Sequence, residues 1–493
     1  MHPPLPAPRA HLALRCGLLL GPVVLAFFSG GFFDDARLWA LAAAWLAVLG
    51  VARYAAVPLP RGRAALAAIA GLLLLTGWIG LSRAWAPLQD AAGDDFERSL
   101  LYAGFLVASV AMWRERGAAR TAELAVAAGA ALVTVYGLSG RLVPWLVEQS
   151  SSMSAGGRLD QPLTYWNAQG ALAAMGAVLM VRVAGDRTRG PGERVIAAAV
   201  TAPLAAGVYL SFSRGAVLAL VCGVLVLLAC SPTYSQLRAI GIAVVTGGPV
   251  VVVSALTPAV RALEGGAADR NAQGALVLGV LLVACLAAAF LTRLASRDEE
   301  EGAVRLGRLP LPQRGVGVTV LVACSIAVVL PVLVSGDSRS EPAFGATTQR
   351  FTDVGSNRDR YWDVALATFA DHPVIGVGSA GFVVEWQRER TVNDGVRDAH
   401  SLPFETAAEL GVIGLVLLVG LLGSVAWCGR LVQRTDPALA TGACAALTVW
   451  LTHACLDWDW EMPALTLPAL TLAAVLIARA DDESARHATA RPG

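Results

Sequence analysis

One histidine and a few arginines carry the chemistry this sequence can support. His400, followed by Ser401, ends the longest polar stretch of the chain. An imidazole ordinarily titrates near neutrality, which suits a general base drawing a proton from a hydroxyl, an effect worth about 10²–10⁴-fold in rate. Arg214, in Ser213-Arg214-Gly215, stands between two long apolar runs. A cation at a membrane boundary is expensive and usually functional. Arg158, in Gly157-Arg158-Leu159, and Arg358, after Asn357, are further candidates for binding an anion. A guanidinium grips phosphate bidentately, which an ammonium does not. Plainer roles compete at each position: a structural hydrogen bond at a helix start for His400, and snorkelling to headgroups for Arg214. Tyr165, Trp166 and Trp362 read as interfacial anchors sooner than as ring platforms for a ligand.

These residues must be held by membrane helices. The chain has 493 residues, of which 56% are hydrophobic and 15% charged, and its mean hydropathy is +0.60. Soluble proteins carry about a quarter charged residues. Apolar runs of about 17–22 residues match the hydrocarbon thickness of a bilayer. A membrane-length window predicts an all-α, polytopic protein of about 12–14 spans, with fourteen candidate centres at Leu20, Ala44, Leu73, Leu106, Gly129, Met175, Leu204, Val221, Thr246, Leu282, Cys324, Leu418, Leu447 and Thr471. The first run is expected to stay as an uncleaved helix, since no small-residue cleavage site follows it. All 38 basic residues are Arg. With a cytoplasmic N-terminus, 23 of them fall on inner segments, eight on short outer ones and seven in one outer loop from about 335 to 405. That distribution follows the positive-inside rule, from which loops longer than about sixty residues are exempt. Both termini are therefore expected inside. The chain divides into 1–334 (N-terminal spans), 335–406 (the long loop), 407–480 (C-terminal spans) and 481–493 (a tail).

Within the loop, residues 356–371 predict an amphipathic helix, with Ser356 as N-cap and Arg358, Tyr361, Trp362, Ala365, Leu366 and Phe369 on one stripe. Arg360 leaves that stripe. The eight cysteines lie in or beside apolar runs without ligand spacing, so neither a disulfide framework nor a zinc site is indicated. His453 and Asp457, four apart, are placed to pair on a helix. The acidic run from Asp298 to Glu301 reads as a solvated loop.

Four stretches in order resemble the O-antigen ligase and polymerase superfamily. His400-Ser401, nine residues and Gly411-Val412-Ile413-Gly414 match the spacing His-[Asn/Ser/Gln]-x9-Gly-x-x-Gly, with Leu415 where the family often has Thr or Val. Gly157-Arg158-Leu159 leading to Pro162 and Tyr165-Trp166-Asn167-Ala168 is similar to the family's Arg and Pro-Asn segment. Ser213-Arg214-Gly215 is similar to its Ser-Arg-Gly turn. Asn357-Arg358 through Trp362, then His372-Pro373-Val374-Ile375-Gly376-Val377-Gly378, is similar to its Arg…Trp…His-Pro-x-x-Gly-x-Gly segment.

The resemblance implies transfer of a preassembled glycan from an undecaprenyl-type diphosphate to an acceptor hydroxyl on the outer membrane face. It casts His400 as base, with Arg214 and with Arg158, Arg358, Asn167, Ser213 and Arg360 on the diphosphate or glycan. The implied partners are a polyprenyl-diphosphate-linked glycan, a glycan, lipid or protein acceptor and the bilayer, with no nucleic acid, cofactor or metal. No GxxxxGK[ST] phosphate loop is present. Asp457-x-Asp459 spells the metal motif of some glycosyltransferases, a spelling common by chance. A polymerase differs only in acceptor. A lipid-linked-glycan transporter would have comparable spans, but transporters gather ionisable residues near the midplane, whereas these cluster at the outer boundary.

Overall fold

The structure is a computed structural model that describes residues 8–300, 345–351 and 357–489. No strand occurs among them. The helices are α1 (Pro8–Ala26), α2 (Asp34–Tyr54), α3 (Arg63–Ser82), α4 (Gln89–Met112), α5 (Arg116–Leu142), α6 (Trp166–Gly185), α7 (Pro191–Leu210), α8 (Arg214–Cys230), α9 (Tyr234–Leu256), the single turn α10 (Pro258–Arg261), α11 (Ala267–Glu300), α12 (Arg358–Asp371), α13 (Phe382–Glu389), α14 (Leu402–Thr435), α15 (Pro437–Ala454) and α16 (Pro463–Thr489). Ten of them are long and apolar enough to cross a membrane. Thirteen of the fourteen expected centres fall on helices, and Cys324 lies outside the described residues. Two local expectations are corrected. The acidic run after Arg297 continues α11 to Glu300 instead of opening a loop. The loop helix starts at Arg358 behind Asn357, which makes no side-chain cap bond; Ser356 lies outside the described residues.

Contacts divide the chain into two compact units. The first takes residues 1–122, 356–436 and 454–493, and the second 123–355 and 437–453. In the second, α6 packs against α7, α8 and α9, and α11 lies on α7 and α9. Leu138, Leu159, Leu210, Val250, Val277 and Leu281 build its apolar centre. Lipid offers no hydrophobic drive between helices, which are held by close packing and by polar ties. Here Arg189 pairs with Glu123, and Arg182 with Asp186 at 3.4 Å. Ser213 caps α8 by accepting the Ala216 N–H at 3.1 Å.

In the first unit, α3 packs on α4 and α14, and α16 on α1, α4 and α14. Asp481 accepts the Arg61 N–H at 2.7 Å and pairs with Arg114 at 2.7 Å. The outward faces of α2, α9 and α11 leave Trp39, Val244 and Leu286 exposed, as lipid-facing side chains should be.

Helix α14 breaks at Gly411, whose φ of 64° and ψ of −163° lie in a region only glycine occupies. The break strips nearby backbone groups of their helical partners, and a buried orphan group is costly. The segment from Pro373 to Gly378 supplies the replacements. Val412 N–H donates to Pro373 O at 2.8 Å, Val377 N–H to Ala408 O at 3.1 Å and Gly378 N–H to Glu409 O at 2.8 Å. Trp78 Nε1–H of α3 donates to Leu410 O at 3.1 Å. Two glycine motifs separated in sequence are thus one hydrogen-bonded joint. A Cβ on Gly411 would stand 2.3 Å from Val374 O, whereas a Cβ on Gly420 of the same helix would meet nothing within 4 Å. Gly411→Ala should therefore destabilise the protein by more than about 2 kcal/mol. Gly420→Ala should be neutral or slightly stabilising. Thermal unfolding of the two purified variants in detergent checks the contrast.

Candidate functional site

His400 sits in the turn before α14 with φ +55°, a left-handed conformation that costs a non-glycine residue on the order of 1–3 kcal/mol. Its Nδ1 lies 3.0 Å from the carbonyl of Asp398. When Nδ1–H donates there, Nε2 is left as the ring's acceptor, which is the form a general base needs. The ring packs 5.4 Å from Tyr361 and 6.4 Å from Trp458, centroid to centroid. Asp394 ties this turn to α12: its carboxylate accepts the Tyr361 hydroxyl at 2.5 Å and Asn357 Nδ2 at 3.3 Å, and its carbonyl accepts Trp386 Nε1 at 2.8 Å. Burial and the Asp394 carboxylate both push the Tyr361 phenol up, so it stays a hydrogen-bond donor.

Arg358, the first residue of α12, is salt-bridged to Asp457 at 2.5 Å, and Asp457 is 1% exposed. Arg360 is half-buried and makes no hydrogen bond or ion pair among the described residues. The expected stripe holds in part: Tyr361, Trp362 and Ala365 are buried, but Leu366 is exposed and Thr368 takes a buried place instead. Trp362 is not an interfacial anchor; it is packed inside against Phe404, 5.5 Å between centroids.

Around the His400 turn lies a group of acids. Asp398, Glu405 and Glu461 bring one carboxylate oxygen each within 4.8 Å of one another, the one grouping among the described residues with spacing that suits a cation. It is not the Asp457-x-Asp459 pair that the sequence spells. Arg98 of α4 already supplies positive charge to it, bonding Asp95 while acting on Asp398 and Glu461. Burial pushes the Asp398 carboxyl up, against the pull of His400 and Arg98. Burial, with Asp398 and Asp95 adding to it against the pull of Arg98, pushes Glu461 up to about 8. Burial thus holds Asp398 and Glu461 toward the neutral form.

In the second unit, Arg158 is 3% exposed, lies with its guanidinium 3.6 Å from the Trp166 ring centre, and donates to Ala155 O at 2.5 Å and Ser154 O at 2.7 Å. Trp166 is therefore a plate for Arg158. Burial and the charge of Arg350 together bring Arg158 down to about 9. Asn167 donates to the Tyr165 hydroxyl at 2.7 Å. Arg214 is half-buried at the first position of α8. Its neighbour Ser213 places Oγ 3.4 Å from His453 Nε2, and Gly215 leaves room for that ring.

Within the first unit the structure thus gathers His400 and Arg358 around Tyr361, Asp394 and Trp458. Within the second it sets Arg158 beside Asn167's segment, and Ser213 beside Arg214. Asp398, Glu405, Asp394 and Arg350 were missed by the sequence reading. Asp398 and Glu405 flank His400 at minus two and plus five, a signal that was present but has no meaning until the turn is seen.

Residues 198–419 match the family model described as O-antigen ligase. That match, with the apolar helices, supports the O-antigen ligase superfamily and a multi-pass membrane protein. No curated protein matches the chain.

A carboxyl whose native pKa of about 8 stands above its unfolded value of 4.5 binds its proton more tightly when folded. Its stabilising share is complete below 4.5 and is lost as pH rises toward 8. Stability should accordingly decline between pH 5 and 8 in wild type, by about the window of that shift, and Glu461→Gln should flatten the decline. Melting curves in detergent across that range measure it.

Proposed function

We propose, from its place in the O-antigen ligase superfamily, that the chain transfers a preassembled glycan from a polyprenyl diphosphate to an acceptor hydroxyl at the extracytoplasmic face of the plasma membrane. Glycosyltransferase-like ligase or polymerase activity is what the superfamily implies in general. The observation that carries the finer reading is the His400 turn: a left-handed backbone that presents an imidazole held through Nδ1, with Nε2 left to take a proton.

In this scheme the acceptor oxygen attacks the anomeric carbon and the bond from that carbon to the diphosphate oxygen breaks. The acceptor's proton passes to His400 Nε2, and the lipid diphosphate leaves with the bonding electrons. Arg214 is suited to the leaving group. A cation at a helix N-terminus is opposed by the macrodipole, and an anion bound there reconciles the two by meeting both the guanidinium and the N–H groups of the first turn. Arg158 and Arg358 add positive charge, the latter oriented by Asp457. Asn167, Ser213 and Arg360 complete the proposed contacts to diphosphate or glycan. These guanidinium groups supply the charge a metal would, so the scheme needs none. The Arg distribution supports cytoplasmic termini and an outer site, and the long loop from 335 to 406 is the proposed acceptor platform. Ligase is preferred to polymerase on the His-x9-Gly spacing.

Reconstitution with a lipid-linked glycan and an acceptor tests the reading. His400→Ala should lower the transfer rate by about 10²–10⁴-fold. Arg214→Ala should lower it by at least about tenfold, and a chelator should leave it unchanged. Full transfer by both variants, or movement of lipid across the bilayer by wild type without any new glycosidic bond, overturns it.

A further inference from the structure

Ser401 stands where a helix-capping side chain is expected, immediately before α14, yet its Oγ is buried and makes no hydrogen bond among the described residues. Glu405, one turn later, does the work from the other side. Its backbone N–H donates to Ser401 O at 2.9 Å, and its carboxylate reaches back past the helix start to accept the Ala399 N–H at 2.8 Å. A carboxylate near the start of a helix that turns back on the preceding backbone is the logic of a capping box. Here it reaches two residues further than usual.

The peptide it grips is the one that matters for His400. The Ala399 N–H and the Asp398 carbonyl belong to the same peptide plane. One end of that plane donates to Glu405, and the other faces His400 Nδ1 at 3.0 Å. A peptide whose N–H is held by a carboxylate presents a more strongly polarised carbonyl, because linked hydrogen bonds reinforce one another away from water. Ala399 is wholly buried, and a residue at φ +55° persists only where its surroundings over-determine it. The clamp on Ala399 is such a constraint, adjacent to the strained residue.

We propose that Glu405 is a positioning residue for the transfer reaction: through the Asp398–Ala399 peptide it fixes the orientation and tautomer of His400 and steadies the imidazolium formed when His400 takes the acceptor's proton. The inference rests on His400 acting as the base. The charged groups facing this assembly are Asp398, Glu409 and Glu461 around Glu405, with Arg98 and Asp95 behind them. Tyr361 and Trp458 enclose the ring itself. Glu405 needs no contact with substrate to act in this way.

The experiment is a double-mutant cycle on the full chain in proteoliposomes, reading kcat and donor KM separately. Glu405→Ala should lower kcat by about a hundredfold, the scale of a small displacement of a catalytic group, with KM within about twofold. Glu405→Gln keeps an oxygen for the Ala399 N–H and should recover kcat to within about tenfold of wild type. In a His400→Ala background, with the base already gone, adding Glu405→Ala should cost less than about twofold, since residues that act as a unit are not additive. Should the alanine variant not fold, Glu405→Asp takes its place, one methylene too short for the same clamp, with the same expectations. Losses that multiply in the two backgrounds would mark Glu405 as merely structural and overturn the proposal. So would a glutamine variant as poor as the alanine one. Wild-type activity in His400→Ala alone would instead bring down the general-base reading.

Discussion

The backbone of Gly411 approaches that of Val374 too closely for any side chain, and the candidate site of the first unit hangs from that contact. Breaking α14 there leaves a short helical piece, from Leu402 to Leu410, aimed differently from the membrane-length remainder. The carbonyls of Ala408 and Glu409 turn to Val377 and Gly378, and that of Leu410 to Trp78. Gly376 is drawn into the same joint, since a Cβ there would collide with the Glu409 carbonyl group. At one end of the short piece Glu409 accepts the Phe382 N–H at 3.0 Å, meeting the positive end of α13. At the other end stand Glu405 and the His400 turn. The glycines of the two motifs therefore set the backbone geometry from which the His400 turn projects.

Charge burial is handled by the fork of the guanidinium. Arg141, 6% exposed, donates to the carbonyls of Val260, Arg261 and Gly157 at 2.7, 3.0 and 2.8 Å, tying the end of α10 and the Gly157 turn to α5. Arg158 serves two carbonyls while stacked on Trp166. An ammonium has neither the planar spread nor the weak hydration for such work. In this chain, which carries no Lys, arginine serves as structural glue as well as a candidate ligand for phosphate. An arginine at the boundary is thus not, by its type alone, a substrate residue. Arg214 and Arg358 differ in context: one sits against the sense of a helix dipole, and the other is shared with a buried aspartate.

The acids around His400 add a second layer to the same economy. Burial pushes Asp398 and Glu461 toward the neutral form, against the pull of Arg98 alongside.

The sequence by itself determined the helices and their membrane character, because apolar run length and residue type are local quantities and a bilayer imposes one length on all of them. It also marked His400, Arg214, Arg158 and Arg358 as candidates through short motifs and their spacing. Only the tertiary structure decided what those residues touch. The pairing of Arg358 with Asp457 joins residues about a hundred positions apart, and the joint of Gly376 with Gly411 links two motifs that read as separate signatures. Trp166 and Trp362 look like lipid anchors by type; by contact one stacks on Arg158 and the other packs against Phe404. Glu405 was invisible because a carboxylate in the first turn of a helix is unremarkable in sequence. Its meaning depends on the left-handed turn of His400, and backbone conformation at a single residue is set by non-local packing that no pattern of spacing records.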